Sequence, residues 1–180
     1  MLIGIIVGSI REGRLGPAVG EWVKAATAGR SATYEVVDLK SFDLPLLTSP
    51  VPPAMASKQY GDERVTRWSQ TIDRFDGFVF VTPEYNHSVP GAFKNAVDTL
   101  GPEWQGKPVA FVSYATDGGL RVVEAWRQIL TNFSMPSARN QVALNLFTDV
   151  VDGTLAPQER HGAELGVVLD QLENLVAKLG

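Results

Sequence analysis

The chain contains no cysteine and only two histidines, His87 and His161. With no thiol there is no disulfide scaffold, no thiol redox chemistry and no thiolate metal site, and two histidines so far apart in sequence make no metal-ligand pattern. An excess of positive charge is also missing: 16 Lys and Arg face 20 Asp and Glu, for a formal charge of −4. Binding nucleic acid needs a basic face to neutralise phosphates, so no nucleic-acid partner is expected. Long apolar runs are lacking too. Leu2–Val7 has no basic flank and is too short for a signal peptide or a bilayer span, so the expectation is a cytoplasmic protein with no membrane partner.

What is present suits one globular domain over residues 1–180, since 44% of the residues are hydrophobic and 17 Gly and 11 Pro are spread along the chain. A domain of this length buries roughly 70% of its unfolded surface and needs no metal or disulfide to hold a core. Short apolar runs alternate with stretches of helical periodicity. Strands are expected at 2–7, 34–38, 78–81, 108–112 and 141–146. Gly16 and Pro17 open the first helix and Gly29 closes it; 62–75, 120–133 and 158–178 also carry helical spacing. Parallel strands joined by helices give an α/β three-layer sandwich, and five strands favour the flavodoxin-like order 2-1-3-4-5. Ligands in such a sheet sit beyond the carboxyl ends of the strands, which directs attention to three loops: 8–16, 82–90 and 113–119.

The loop at 82–90 is the most informative. Pro83 and Pro90 bracket Glu84, Tyr85, Asn86, His87 and Ser88 just after a buried strand. Fixed proline φ angles restrict the loop and hold its backbone amides in set directions, which suits a flat ligand rich in heteroatoms. In the first loop, GSIREGRLGP, the amides and the helix N-terminus offer an anion site. Ser9 supplies a hydroxyl, Arg11 and Arg14 supply guanidinium groups, and Gly16 opens the helix. A glycine-rich turn with two solvated arginines reads equally simply. It is neither a Walker A loop nor a dinucleotide fingerprint, because no Gly-Lys-Ser/Thr follows and G-x-G-x-x-G fails at the second glycine. Asp38, at the end of the second strand, is accordingly expected to be a strand-terminal or turn residue. In the third loop, SYATDGGL, Ser113, Thr116 and the amides near Asp117 and Gly118 offer hydrogen bonds to a ring edge; the plain alternative is a turn and helix cap.

Together these loops resemble the NADPH-dependent FMN reductase family of flavodoxin-like oxidoreductases. The resemblance spans roughly residues 2–135 and is carried by GSIR, by DLPLL at 43–47, by VTPEYNHSVPGAFKNAVD at 81–98, and by GKPVAFVSY with the DGG that follows. It implies a bound FMN, NADPH or NADH as donor, and a small acceptor such as a quinone, azo compound, chromate or free flavin. By the resemblance Ser9 and Arg11 hold the phosphate, Pro83, Glu84, Tyr85 and Asn86 line the isoalloxazine ring, and loop 113–119 meets its pyrimidine end. Where the family's phosphate loop carries a further Ser and Asn, this chain has Gly13, Arg14, Leu15 and Gly16, so Arg14 is the candidate replacement contact. The resemblance also implies a homodimer or homotetramer with the flavin near the interface.

A flavin supplies the difficult chemistry itself, so no catalytic dyad is expected. His87 is a weak candidate proton donor and more simply a solvated loop side chain. Lys94 and Asp98, spaced i, i+4, read as a surface pair, and Asn95 reads either as an anchor for the loop before its helix or as a simply exposed side chain. Trp22, Trp68, Trp104 and Trp126 read as packing or interface residues. The proline-rich stretch 44–61 borders the flavin site or a partner subunit by the resemblance; a disordered surface loop is the alternative. Three other functions stay open on sequence: a reductase using FMN as a diffusible substrate, a flavodoxin-type electron carrier, and a non-redox binding domain.

Overall fold

The structure, a computed structural model, describes residues 1–179. Five parallel strands form one sheet: β1 (Leu2–Val7), β2 (Thr33–Asp38), β3 (Gly77–Pro83), β4 (Val109–Ala115) and β5 (Val142–Asn145), in the order β2-β1-β3-β4-β5. The flavodoxin-like order is therefore the one observed. In the register, Ile5 lies between Val36 and Val79, and Phe80 pairs with Phe111. Every residue of β3 and β4 is buried, as befits central strands covered on both faces.

Side chains alternate across the sheet, and the two faces differ in chemistry. One face presents Phe78, Phe80 and Phe111 to α2 (Glu63–Asp73), α3 (Gly91–Asp98) and α4 (Leu120–Thr131). Trp68, Trp104, Trp126 and Phe93 complete this aromatic core, with Phe80 and Phe93 ring centroids 4.7 Å apart. Each indole finds an acceptor: Trp68 Nε1 donates to Ala96 O, Trp104 Nε1 to Val97 O and Trp126 Nε1 to Thr82 Oγ1. These three tryptophans are core, while Trp22 is half-buried. The other face is aliphatic: Val79, Val81, Ala110 and Val112 meet Val19 and Val23 of α1 (Gly16–Ala25) and Leu165, Leu169 and Leu172 of α5 (Glu159–Leu179).

One boundary and one added element differ from the sequence expectation in ways that matter. The fourth strand runs three residues further, so Ser113 and Tyr114 are strand residues and the third loop starts at Thr116. Polar side chains there imitate a loop, yet Ser113 is fully buried because its hydroxyl donates to Gly118 O at 2.7 Å. A two-strand hairpin, β6 (Val150–Val151) and β7 (Thr154–Leu155), was unforeseen, since strands of two residues carry no period. Its turn places Asp152 and Gly153 at positive φ.

The stretch 44–61 is tied down near both ends. Asn95 accepts from Leu47 N and donates to Pro45 O, each at 2.9 Å, so this side chain clamps the 45–47 backbone and not the 82–90 loop. Tyr60 donates to the fully buried Glu103 carboxylate, which also accepts from Ser69 Oγ and Gly101 N. A groove of about 640 Å³ opens beside this segment, and Leu46, Leu47, Val51 and Met55 are exposed along it.

Candidate active site

The loops after β1, β3 and β4 meet at the carboxyl edge of the sheet, at the switch point where strands are added on one side of β1 as β2 and on the other as β3. They enclose an open cleft of about 340 Å³. Ser9, Arg11, Arg14, Pro83, Glu84, Tyr85, Asn86, His87, Thr116 and Asp117 all line it. Gly16, Ser113 and Gly118, expected to touch a ligand, lie behind the wall. They serve packing: a Cβ on Gly16 would come within 2.9 Å of Val7 Cγ1, and one on Gly118 within 3.0 Å of Ala143 Cβ.

Beyond Glu84 the second loop closes in a tight turn. Tyr85 and Ser88 exchange both backbone hydrogen bonds at 3.0 Å, and Asn86 and His87 between them have φ of 49° and 64°. Two consecutive left-handed residues mark a type I′ geometry, here without glycine. Glu84 N donates to Tyr114 O and Tyr85 N is used inside the turn, so the amides without a protein partner among the described residues are those of Asn86 and His87. Glu84 itself reaches away from the turn. Its carboxylate, with a side chain only 5% exposed, accepts from Val122 N in the first turn of α4 and lies 3.4 Å from Arg121. The N-cap position of that helix is Gly119, which has no side chain to cap it, so Glu84 supplies the cap from a different loop. Asp117, a candidate cap on sequence, pairs instead with Arg121.

At the first loop the charges are arranged differently from the sequence expectation. The Arg14 guanidinium donates to both carboxylate oxygens of Asp38 at 2.6 and 2.7 Å and to Ser9 O at 2.6 Å. The arginine offered for a phosphate contact is thus held within the fold, tying the loop after β1 to the end of β2. Burial pushes the Asp38 carboxyl up, but the Arg14 guanidinium and the Lys40 amide outweigh it and hold the group below the usual carboxylate range. Asp38 also accepts from Lys40 N and so caps the short 3₁₀ turn Leu39–Phe42. Arg11 remains exposed, with no hydrogen bond or ion pair among the described residues. Ser9 Oγ shares a hydrogen bond with Tyr85 Oη at 3.1 Å, which joins the first loop to the second.

Sequence reasoning overlooked Leu15, Tyr114, Ala115 and Leu146, which also line this cleft. Tyr114 is 5% exposed, and its hydroxyl lies beside Ser9, whose own hydroxyl is engaged with Tyr85, and makes no hydrogen bond of sound geometry. Burial pushes its phenol far above the ordinary value, so the hydroxyl keeps its proton at every working pH. No signal in the sequence could have revealed an orphaned hydroxyl, although the period-2 continuation of β4 would have placed Tyr114 on the α1 face. No cluster of three or more His, Cys, Asp or Glu suited to a metal occurs among the described residues. Among those residues no helix is long and apolar enough to cross a membrane.

The chain is similar in sequence to proteins of known description. The family model for NADPH-dependent FMN reductases matches residues 1–149. An NAD(P)H-dependent FMN reductase of a Nectria species is 37% identical over 186 residues, covering 96% of this chain and 92% of its own. A quinone reductase of Pseudomonas putida is 34% identical over 141 residues, covering 74% and 72%. Among solved structures, the flavoenzyme NAD(P)H:acceptor oxidoreductase FerB of Paracoccus denitrificans superposes with a TM-score of 0.76 over 99% of this chain and 98% of its own. At 23% identity that likeness speaks for the fold. With the sheet order, the three convergent loops and these matches in agreement, the chain belongs to the NADPH-dependent FMN reductase family.

Proposed function

We propose that the protein is an FMN-dependent NAD(P)H oxidoreductase that passes electrons to a small acceptor such as a quinone, azo compound, chromate or free flavin. The observation that carries this reading is the left-handed turn at Asn86 and His87, two residues with unpaired amides that line a cleft whose other wall is the loop before α1. The residues suit the cofactor. Uncapped amides at the start of α1, the exposed Arg11 and the buried hydroxyl of Tyr114 are donors without protein acceptors, as an anionic group requires. When bound, FMN supplies the relay of a hydride equivalent from NADPH or NADH to the acceptor.

The protein's part is to bind, orient and shield. Arg11 and the amides of the first loop would hold the phosphate, with Ser9 reaching it if its hydroxyl turns from Tyr85. Pro83, Tyr85 and Asn86 would fix the ring, the Asn86 and His87 amides would stabilise negative charge gathering on it, and Thr116 and Asp117 would border its far end. Gly16, Ser113 and Gly118 would keep the loops close enough to do so. The openness of the cleft supports a broad choice of acceptor. The exposed apolar residues of the 44–61 segment support assembly as a homodimer or homotetramer, which light scattering on an eluting peak would measure. One cytoplasmic domain spanning 1–180, with no nucleic-acid or membrane partner, completes the reading.

The commitment of Arg14 to Asp38 favours a second reading, in which FMN is a diffusible substrate. The deciding experiment is a visible spectrum after FMN loading and desalting, followed by anaerobic NADPH. Retained flavin that bleaches supports the bound-cofactor enzyme. NADPH consumption that needs free FMN supports the second reading, and a protein that neither holds flavin nor turns it over refutes both.

A further inference from the structure

Where the family loop offers a Ser and an Asn, this chain offers Gly13 to Gly16, and the one nearby cation that sequence suggests as a replacement is spent on Asp38. Of the donors left for a phosphate, Arg11 is exposed at the rim of the cleft and has no ion pair among the described residues. Ser9 Oγ is engaged with Tyr85 Oη, and Arg14 is engaged with Asp38 and the Ser9 carbonyl. Helix α1, ten residues long, has Leu15 at its N-cap position and no side-chain cap, so the amides of Gly16 and Ala18 in its first turn are unpaired, while Pro17 between them has no N–H. Beneath them lies the Tyr114 hydroxyl, buried and without a partner, so close that a Cβ on Gly16 would sit 3.0 Å from it.

A buried hydroxyl left unpaired destabilises the fold that carries it. Phenylalanine would fill the same space without that cost, so the hydroxyl needs a reason outside the unliganded fold. We propose that Tyr114 is a phosphate-binding residue of this protein, its hydroxyl donating to the phosphate of FMN from the floor of the first loop in place of the missing loop side chains. The inference rests on the FMN reading of the cleft. It gives a structural role to two further features: Gly16 is needed because any side chain would stand between the hydroxyl and the helix start, and the Arg14–Asp38 pair shapes the loop instead of binding the ligand.

The test compares wild type and Tyr114→Phe, both as flavin-free protein, by fluorescence titration with FMN and with riboflavin, which lacks the phosphate. A hydrogen bond to a charged group accounts for about 1.5–3 kcal/mol, so FMN should bind roughly 10- to 100-fold more weakly to the variant while riboflavin is unchanged. Melting of the flavin-free variant should be at the wild-type temperature or higher, because an unpaired group has been removed. Inorganic phosphate should raise the melting temperature of wild type and do so less for the variant. Equal weakening of FMN and riboflavin, unchanged discrimination between them, or a lower melting temperature of the flavin-free variant would each overturn the assignment. If wild type bound neither flavin, the FMN reading would fail on its own, and the phosphate melting series would still decide whether Tyr114 holds an anion.

Discussion

Replacing Glu84 by alanine should cost the fold about 2–3 kcal/mol, although the residue sits in a surface cleft. Its carboxylate accepts from Val122 N at 3.1 Å in the first turn of α4 and is almost wholly covered. A hydrogen bond to a charged group contributes about 1.5–3 kcal/mol. The favourable placement of an anion at a helix start adds about 0.3–1 kcal/mol that partly overlaps it. The contact with Arg121 adds little, because that side chain is 46% exposed and its nearer partner is Asp117. For a chain of this length each kcal/mol moves the midpoint by roughly 2–4 °C, so Glu84→Ala should melt about 4–12 °C lower. Urea denaturation checks this as a lower midpoint at an unchanged slope. Glu84→Gln keeps an acceptor for Val122 N but not the charge, and should lose about half as much. A loss under about 0.5 kcal/mol for the alanine variant would refute the account of how α4 is capped.

Gly8→Ala should destabilise by about 3 kcal/mol or more, because a Cβ there would lie 1.9 Å from Phe93 Cδ1 in a core with no room for the ring to retreat; denaturant unfolding measures it. Asn95→Ala should free the 45–47 backbone while leaving global stability nearly intact, seen as faster hydrogen exchange and proteolysis confined to 44–61. Burial pushes the Asp149 carboxyl up, yet the amides of Gln158 and Asn145 and the His161 ring outweigh it and hold the group below its usual range. The stability it contributes is therefore complete above the unfolded carboxylate value of about 4 and is lost as pH falls through the lower folded value; Asp149→Asn should flatten that part of an acid-unfolding curve.

How far the sequence discloses the molecule depends on which residues carry the signal. Strands β1 and β3 are legible because unbroken apolar runs such as Ile3 to Val7 and Phe78 to Val81 have no other home in a chain of this size. The end of β4 is not, because Ser113 and Tyr114 look polar until the Gly118 carbonyl and the α1 start are known to lie beside them. The same holds at the cleft. Loop composition places Arg11 and Asn86 on its surface, but whether Arg14 faces a ligand or Asp38 depends on where β2 ends relative to β1, a tertiary fact. Asn95 was legible as an anchor and not in what it anchors, since the 45–47 backbone is brought to it by the fold.

The hydrogen bond from Trp126 to Thr82 has a practical consequence. An indole tethered one residue before Pro83 sits in the rigid aromatic core directly under the loop proposed to hold the ring. Tryptophan emits where flavins absorb, so occupancy of the cleft should dim this indole by energy transfer. The chain thereby carries its own optical gauge of loading, and Trp126→Phe would identify the share of the signal that belongs to it.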